Sequence, residues 1–459
     1  MTITRRRIYF YALVLVFCIA APAVILYSQG YTLNMRDLSL KKTGAIFVST
    51  SPKGVRVLVN GILKATTSDL IFSQGKLLSH LAPGEYEVRI EKDGYLPWGK
   101  QLVVEPQLVT EARSIFLVPE SPPEQVIEEN VSDVIISDSN ALLAYVKGDS
   151  IAILDVSSPA IIPLSGEKGE KIGKVRFGAD ENYLIVESLL ANKVKKYLLE
   201  VKTGEITRIA EDDEERLVKI RQYPEGEPRI VALSSAGNLY WIDLRSQNER
   251  TLIARDIGNF ELFGSKALYA TAAPTIVYEK DLLSGRTEQL NQTPIGNFNL
   301  SSKMLRSDAG YIAVIDDKKF LHLYRNEEKA FVRIADGVLD AAFSEDDRKL
   351  MWQSKNEIHV SYLKDSSVQP RRKQGDTELI TRFSGTIGSI AWFSYDSEHI
   401  LFAAEGKLKF VELDGRDRRN TYDVSEVKRP AVIIYNRFDD FIYLLDGHTL
   451  KKITLIKNS

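Results

Sequence analysis

Hydrophobic and polar positions follow three different patterns along this chain. Positions 8–27 form an apolar run without a charge, and a helix of that length spans about 30 Å of hydrocarbon. Alternating apolar and polar positions, broken by turn residues, occupy 44–119. From 126 to 459 the alternation returns in units of roughly 40 residues. The pattern predicts one membrane-spanning helix followed by two all-β domains.

The apolar run is predicted to be a transmembrane signal anchor. Three arginines at 5–7 precede it and favour a cytoplasmic N-terminus, although basic residues within 36–42 weaken the asymmetry. A cleaved signal peptide is the alternative, but the run exceeds the usual apolar length and no A-x-A site closes it. We expect residues 1–7 to form a short cytoplasmic tail, residues 8–27 to contact the lipid bilayer, and residues 28–43 to form a spacer. The remainder of the chain is then extracytoplasmic, on a plasma-membrane anchor.

Turn residues divide the next region into short strands. Asn60-Gly61, Pro83-Gly84 and Asp93-Gly94 separate apolar runs, since glycine accepts the positive φ that tight turns require. Within "EYEVRIEKDGY" the apolar Tyr86, Val88 and Ile90 alternate with charged residues. This alternation indicates strands with one face in a core and the other in water. The region is predicted to be a compact antiparallel β-domain.

The same residues resemble a PEGA domain. The segments "STSPKGVRVLVNG", "LAPGEYEVRIEKDGY" and "IFLVP" carry the resemblance over residues 43–119, whereas 62–80 is longer than the ordinary connection. The resemblance implies a small β-sandwich at 44–119, typical of prokaryotic envelope proteins, acting as an accessory or binding module without chemistry of its own. Tyr95 and Trp98 could form a ligand platform, but in a small domain we expect them to pack.

A repeat of about 40 residues begins after a proline-rich linker at 120–125. The clearest copy starts at Lys174 and reads as four antiparallel strands joined by polar turns. Its first turn recurs as "AFSEDDRKLMW", "WFSYDSEHILF" and "IYNRFDDFIYL". The third strand of each copy ends in an acidic residue before a turn, at Asp155, Glu200, Asp243, Asp281 and Glu412.

Four-stranded units of this length are typical of β-propeller blades. We predict a propeller over 126–459 with roughly eight blades, and seven as the alternative. The last unit shows three strands, so 124–130 is expected to supply its outer strand and close the ring. The "FS-x-D" turns resemble those of TolB-like and WD40-like propellers, and this resemblance implies no particular function. The predicted first strands lie near Val134, Val175, Val218, Phe260, Phe298, Ala342, Ile390 and Ile433.

Composition and motifs offer little chemistry. The 60 basic and 62 acidic residues give a net charge of −2, which argues against nucleic acid as a partner. The only cysteine, Cys18, lies in the apolar run, so no disulfide framework is possible, and no G-x-S-x-G motif is present. Catalytic, cofactor and metal residues are therefore predicted to be none, and no residue is assigned to ligand binding. The histidines are scattered without metal-ligand spacing, at His80, His322, His359, His399 and His448.

Two functions fit this organisation. The favoured prediction is a non-enzymatic, membrane-anchored scaffold whose propeller binds an envelope partner, either a protein or a cell-wall glycan. The alternative is a propeller-channel enzyme such as a quinoprotein-like dehydrogenase. That class repeats a docking tryptophan from blade to blade, whereas this propeller has Trp241, Trp352 and Trp392 only. No cofactor is predicted.

Overall fold

The structure is a computed structural model that describes most of the chain. The described residues are 3–28, 30–34, 39–66, 75–155, 158–163, 170–190, 193–209, 215–223, 227–246, 249–366, 368–428 and 430–456. They form two compact units. Unit 1 comprises residues 1–121, 365–374 and 411–422, and unit 2 comprises 122–364, 375–410 and 423–459. Within these residues the architecture is all-β apart from one N-terminal helix, which confirms the predicted fold class.

Unit 1 begins with the apolar helix α1 (Ile3–Ser28). Its 26 residues correspond to about 39 Å at 1.5 Å per residue. The stretch Arg6–Ser28 is long and apolar enough to cross a membrane, as an anchor or a signal sequence would be. A short antiparallel hairpin of β1 (Tyr31–Asn34) and β2 (Ser39–Lys42) follows the helix.

Two sheets form a β-sandwich in the rest of unit 1. One sheet has the order β5-β4-β7-β8 and the other β6-β3-β9. Their buried aliphatic and aromatic side chains belong to one core cluster. The strands are β3 (Gly44–Ser51), β4 (Arg56–Val59), β5 (Ile62–Thr66), β6 (Lys76–Leu81), β7 (Gly84–Glu91), β8 (Trp98–Val104) and β9 (Val109–Phe116).

The predicted turns and alternation are present in the sandwich. Asn60 and Gly61 both have positive φ, 51° and 75°, in a two-residue hairpin between β4 and β5. Val88 and Ile90 are fully buried, as the alternation along β7 indicated. The expectation of a purely antiparallel domain is wrong, because β3 pairs with β9 in parallel. β3 and β9 are the first and last strands of the sandwich in the sequence, although they are neighbours in the sheet. No short hairpin connects them, so they can run in the same direction.

Unit 2 contains eight four-stranded antiparallel sheets within the described residues. In the first seven, strands follow chain order from one edge of the sheet to the other. Sheet 1 is β11 (Val131–Ile136), β12 (Leu142–Lys147), β13 (Ser150–Asp155) and β14 (Ser158–Pro163); sheet 2 is β15 (Lys171–Phe177), β16 (Tyr183–Leu190), β17 (Lys193–Glu200) and β18 (Ile206–Arg208); sheet 3 is β19 (Leu217–Gln222), β20 (Arg229–Ser234), β21 (Leu239–Asp243) and β22 (Glu249–Ala254); sheet 4 is β23 (Ile257–Phe263), β24 (Lys266–Thr271), β25 (Val277–Asp281) and β26 (Thr287–Gln289).

The remaining sheets repeat this arrangement, and the last one borrows a strand from the start of the unit. Sheet 5 is β27 (Lys303–Arg306), β28 (Ile312–Ile315), β29 (Leu321–Arg325) and β30 (Ala330–Ala335); sheet 6 is β31 (Asp340–Phe343), β32 (Lys349–Gln353), β33 (Glu357–Tyr362) and β34 (Thr377–Arg382); sheet 7 is β35 (Ile390–Trp392), β36 (His399–Ala404), β37 (Lys407–Glu412) and β38 (Thr421–Glu426); sheet 8 is β39 (Pro430–Asn436), β40 (Phe441–Asp446), β41 (Thr449–Thr454) and β10 (Glu124–Glu129).

Hydrophobic clusters join each sheet of unit 2 to the next. Separate clusters lie between sheets 1 and 2, 2 and 3, 3 and 4, 4 and 5, and 5 and 6. The Trp392 indole donates to the carbonyl of Ala342 at 3.0 Å between sheets 6 and 7, and β35 contacts β39 between sheets 7 and 8. A further cluster, with Tyr145 and Leu450, joins sheet 8 to sheet 1. Sheets packed face to face in a closed circle constitute a β-propeller.

The ring closes through β10, as the sequence predicted. Residues Glu124–Glu129 pair antiparallel with β41 and become the outer strand of sheet 8. Closure joins the beginning and the end of unit 2 in one sheet, so β41 does not have an unpaired edge where the ring closes. One predicted strand position is wrong: Phe298 lies in the loop before β27, which begins at Lys303. Phe298 is buried between sheets 4 and 5, and a buried aromatic in an alternating loop resembles a strand residue.

Candidate functional site

A repeated β-bulge organises the first strands of sheets 1 to 4. Each of these strands shifts register against its neighbour at its second or third residue. Bulges bend a strand and re-aim its side chains, and they are frequent beside functional sites. The residues directly after the shift occupy equivalent positions and are Asp133, Lys174, Lys219 and Asn259. The residues two places further on are Ile135, Arg176, Arg221 and Glu261.

Most of these residues line a cavity of about 920 Å³ in unit 2. The first strands of sheets 1 to 4 form most of its wall, and the rest comes from residues 300–305, Asp340, Asp138, Ala179, Ile185 and Glu187. The volume is that of a typical small-molecule pocket, and the cavity is partly open to solvent. Equal numbers of basic and acidic side chains line it, namely Lys174, Arg176, Lys219, Arg221 and Lys303 with Asp133, Asp138, Glu187, Glu261 and Asp340.

Three of the five cations converge on a single carboxylate, that of Glu261. Arg221 binds it in a bidentate manner, through Nε on Oε1 and through Nη2 on Oε2 at 2.7 Å. Lys219 Nζ lies 3.2 Å from Oε2 and donates to Asn259 Oδ1 at 2.8 Å. Arg176 Nη1 lies 3.9 Å from Oε1. The group therefore carries a local excess of positive charge, which we call the Glu261 cluster (Arg176, Lys219, Arg221 and Glu261).

The pKa values in the Glu261 cluster reflect this excess. Burial alone would raise the pKa of Glu261, but the hydrogen bonds of Arg221 and the charges of Lys219 and Arg176 lower it to about 2. Burial lowers the pKa of Lys219 to about 8; Glu261 partly offsets the effect, and the neighbouring arginines add to it. The ammonium group of Lys219 is therefore destabilised first by its burial and further by the two arginines beside it.

The members of the Glu261 cluster differ in the donors that remain available. Arg221 uses Nε, Nη2 and also Nη1, which donates to the carbonyl of Ile220 at 2.8 Å. The guanidinium group of Arg176 makes no hydrogen bond within the described part of the chain, and its side chain is 56% exposed. Arg176 is therefore the cation of the cluster with the most donors available to a ligand in the cavity.

Most other charges of the cavity have local partners. Lys174 lies directly across from Glu187 in the antiparallel pair β15–β16, a favourable cross-strand arrangement. Lys303 Nζ lies 2.7 Å from Asp340 Oδ1. Asp133 accepts the backbone N–H groups of Val134 and Val175. Asp138 forms no ion pair within the described residues, and burial raises its pKa.

Unit 1 contains a second cluster of buried polar groups, which includes the predicted aromatic pair. Tyr95 and Trp98 are 8% and 2% exposed and belong to the core, so the prediction that they pack is confirmed. The Trp98 indole donates to Glu412 Oε2 at 2.9 Å. Lys100 Nζ lies 2.7 Å from Glu412 Oε1, and the two side chains are 0% and 5% exposed.

The Lys100 ammonium group also organises the backbone of 411–422. It donates to the carbonyls of Asp414 at 2.8 Å, Arg416 at 3.1 Å and Arg418. Three backbone carbonyls thus converge on one buried cation, and the arrangement is structural. The equivalent acidic residue Asp281 instead caps its own turn, accepting the N–H groups of Leu283 and Ser284.

The histidines and tryptophans are not brought together into a site. No group of three His, Cys, Asp or Glu side chains within the described ranges is arranged to hold a metal. His322 and His399 pair singly, with Asp316 at 3.2 Å and Asp396 at 2.8 Å. Trp241, Trp352 and Trp392 lie on the third, second and first strands of sheets 3, 6 and 7. The three tryptophans therefore do not occupy equivalent positions in successive blades. The quinoprotein pattern requires a tryptophan at the same position from blade to blade.

Sequence reasoning missed the Glu261 cluster altogether. Each member reads as an ordinary charged residue of an alternating strand, and none belongs to a motif. The available signal was the repeat itself, because Arg176, Arg221 and Glu261 occupy one position in three successive units. The equivalent position is apolar in sheets 1 and 8, where it is Ile135 and Ile434. The change from apolar to charged residues at this position would have indicated the Glu261 cluster.

Comparisons with known proteins bear on the sandwich most directly. Residues 43–115 match the family model described as the PEGA domain, which confirms the predicted resemblance. A search of curated proteins gave no match. The matched region is 73 residues of the chain and lies in unit 1. It identifies one domain of unit 1 and gives no family for unit 2.

Solved structures similar to this chain are propellers of low sequence identity. The C-terminal WD40 domain of Sif2 is 13% identical, with 74% of this chain and 99% of that chain covered and a TM-score of 0.48. The propeller domain of Cps50 (Swd1) from Myceliophteria thermophila is 13% identical, with coverage of 73% and 100% and a TM-score of 0.42. Dihydro-heme d1 dehydrogenase NirN is 12% identical, with coverage of 64% and 66% and a TM-score of 0.45.

With TM-scores below 0.5, these similarities carry no argument about function, and the propeller assignment stands on the sheet topology. A PEGA domain combined with a propeller supports the general role of a protein-interaction scaffold. The apolar helix α1 is long and apolar enough to attach the chain to a membrane.

Proposed function

We propose that this chain is a non-enzymatic, membrane-anchored scaffold whose propeller binds an envelope partner on the extracytoplasmic side. The partner is a protein or a cell-wall glycan. The observation that carries the proposal is the solvent-open cavity of unit 2, whose wall combines fixed charges with a cation that no described hydrogen bond engages. Such a pocket can hold and orient a ligand without a nucleophile, a metal or a redox group.

The proposed topology follows from the helix and its flanks. Residues 1–7 lie in the cytoplasm, α1 crosses the membrane over 8–27, and 28–43 forms a spacer. The PEGA domain at 44–119, the linker at 120–125 and the propeller at 126–459 then face the envelope. The PEGA match supports this placement, since such domains are often extracellular.

Single-cysteine labelling of intact cells tests the topology. Because Cys18 is the only native cysteine, a Cys18→Ser background gives a blank on which one thiol is placed at a time. A membrane-impermeant maleimide is expected to label Ser121→Cys in intact cells, since Ser121 is exposed. Thr2→Cys is the matched control and is expected to react only after lysis. Labelling of Thr2→Cys alone in intact cells would reverse the proposed orientation.

Co-sedimentation with cell-wall material tests the binding role. The detergent-solubilised full chain is expected to pellet with isolated walls of the source organism, with serum albumin in the same detergent as the non-binding control. Binding that survives protease treatment of the walls identifies a glycan, and binding that is lost identifies a protein. Absence of the chain from the pellet in both cases contradicts the proposal of an envelope partner.

A further inference from the structure

We infer that the cavity of unit 2 binds an oxyanion, a carboxylate or a phosphate group of the partner, through Arg176 and Lys219. This inference rests on the proposed binding function and adds the chemistry of the ligand. It depends on where the charges lie rather than on their sum, because basic and acidic side chains are equal in number around the cavity.

The first step is the distribution of charge within the wall. Lys303 pairs with Asp340, and Lys174 lies across from Glu187, which is also within electrostatic range of Arg176. At the Glu261 cluster, by contrast, three cations share one carboxylate. An anion entering the cavity meets its most favourable potential at this point, where low-dielectric walls strengthen the attraction.

The second step is the supply of hydrogen-bond donors. Arg176 presents a guanidinium fork whose N–H groups form no hydrogen bond within the described residues. Such a fork matches the two oxygens of a carboxylate or phosphate. Lys219 has three N–H donors and directs two of them, to Asn259 and Glu261, so one remains for the ligand. Both side chains line the same cavity.

The third step is the preorganisation of the site. Arg221 Nε and Nη2 hold the carboxylate of Glu261, and Arg221 Nη1 donates to the carbonyl of Ile220. The Arg221–Glu261 pair is therefore held in one position, and its carboxylate positions the ammonium group of Lys219. An oxyanion beside Arg176 and Lys219 would relieve the mutual repulsion of the cations, and the residues that bind it need little rearrangement.

Asp138 limits the kind of anion that fits. Its carboxylate lies on the same wall within electrostatic range of Arg176, so it reduces the surplus charge near the fork. Asp138 therefore weakens the binding of a second anionic group beside the first, so a single oxyanion group of the ligand is expected to enter the site. This is the specificity that the cavity itself imposes.

Isothermal titration of the full chain in detergent tests the inference. Inorganic phosphate and the peptide tetraglutamate serve as separate probes, at low and at raised ionic strength. We expect saturable binding of at least one probe, weakened by salt, and a loss of about tenfold or more in affinity for Arg176→Gln. The matched control is Lys171→Gln, which removes a cation from the same strand but outside the cavity lining and should leave the affinity unchanged.

The two probes separate the sources of the oxyanion. Tighter binding of phosphate indicates a phosphate-bearing wall polymer, and tighter binding of tetraglutamate indicates an acidic protein segment; both support the inference. Failure of both probes to bind, or equal affinity of Arg176→Gln and the native chain, overturns it. Because this titration requires no wall material, its failure is distinguishable from failure of co-sedimentation, which tests the envelope partner alone.

Discussion

Replacing Lys100 by methionine is expected to cost about 3–5 kcal/mol of local folding free energy, among the largest effects of any single substitution in this chain. The reason is that Glu412, 5% exposed, would keep its charge without a counter-ion, and the carbonyls of residues 414, 416 and 418 would lose their shared donor. Hydrogen exchange measured by mass spectrometry should show faster exchange in segments 98–104 and 411–422.

Lys147→Met is the matched control for this experiment. Lys147 forms an ion pair of nearly the same length, 2.8 Å with Glu128, but its side chain is 49% exposed. Exposed pairs are worth less than about 1 kcal/mol, so little change is expected. Adding Glu412→Gln to Lys100→Met should recover part of the loss, because the neutral amide needs no counter-ion and its oxygen still accepts from one of the two donors, Trp98 or Asn420. Equal costs for Lys100→Met and Lys147→Met would contradict the structural role of the buried pair.

Replacing Glu261 by glutamine is expected to cost about 3 kcal/mol at neutral pH. Glutamine keeps the shape of the side chain but removes the charge that Arg176, Lys219 and Arg221 share. The magnitude follows from the pKa of Glu261, which lies at about 2 instead of 4.5. The midpoint of thermal unfolding of unit 2 measures the loss, with Asp340→Asn, on the half-exposed pair with Lys303, as the control of small effect.

The same carboxylate should make the native chain sensitive to acid in a defined window. Since the folded-state pKa of Glu261 is lowered, its contribution is complete above pH 4.5 and is lost as the pH falls towards about 2. The Glu261→Gln variant lacks this group, so the stability difference between variant and native chain should shrink over that interval. A stability difference that stays constant from pH 6 to pH 3 would show that the neighbouring cations do not lower the pKa of Glu261.

The fold was largely predictable because its determinants are local. Asn60-Gly61, the alternation of Val88 and Ile90, and the turns between repeated strands are properties of a few adjacent residues. Ring closure by 124–130 was also predictable, since an incomplete last unit requires a strand from elsewhere. Phe298 was misplaced because burial between two sheets produces the same apolar position as a strand does.

The candidate site was not predictable because its determinants are distant in sequence. Arg176, Lys219 and Glu261 come from three consecutive sheets, and only the packing of these sheets brings their side chains to one cavity. Glu412 illustrates the same limit: its repeat position predicted a residue that ends a strand before a turn, whereas its actual partner is Lys100, more than 300 positions earlier.

The sequence by itself therefore determined the strands, their turns, the repeat and the apolar helix, because backbone geometry and side-chain alternation depend on neighbouring residues. The tertiary structure alone decided which charges meet. Pairing of Lys100 with Glu412, and the convergence of three cations on Glu261, depend on distances of a few ångströms between segments that the chain separates widely. Electrostatic energy falls with distance in space, and the sequence records only distance along the chain.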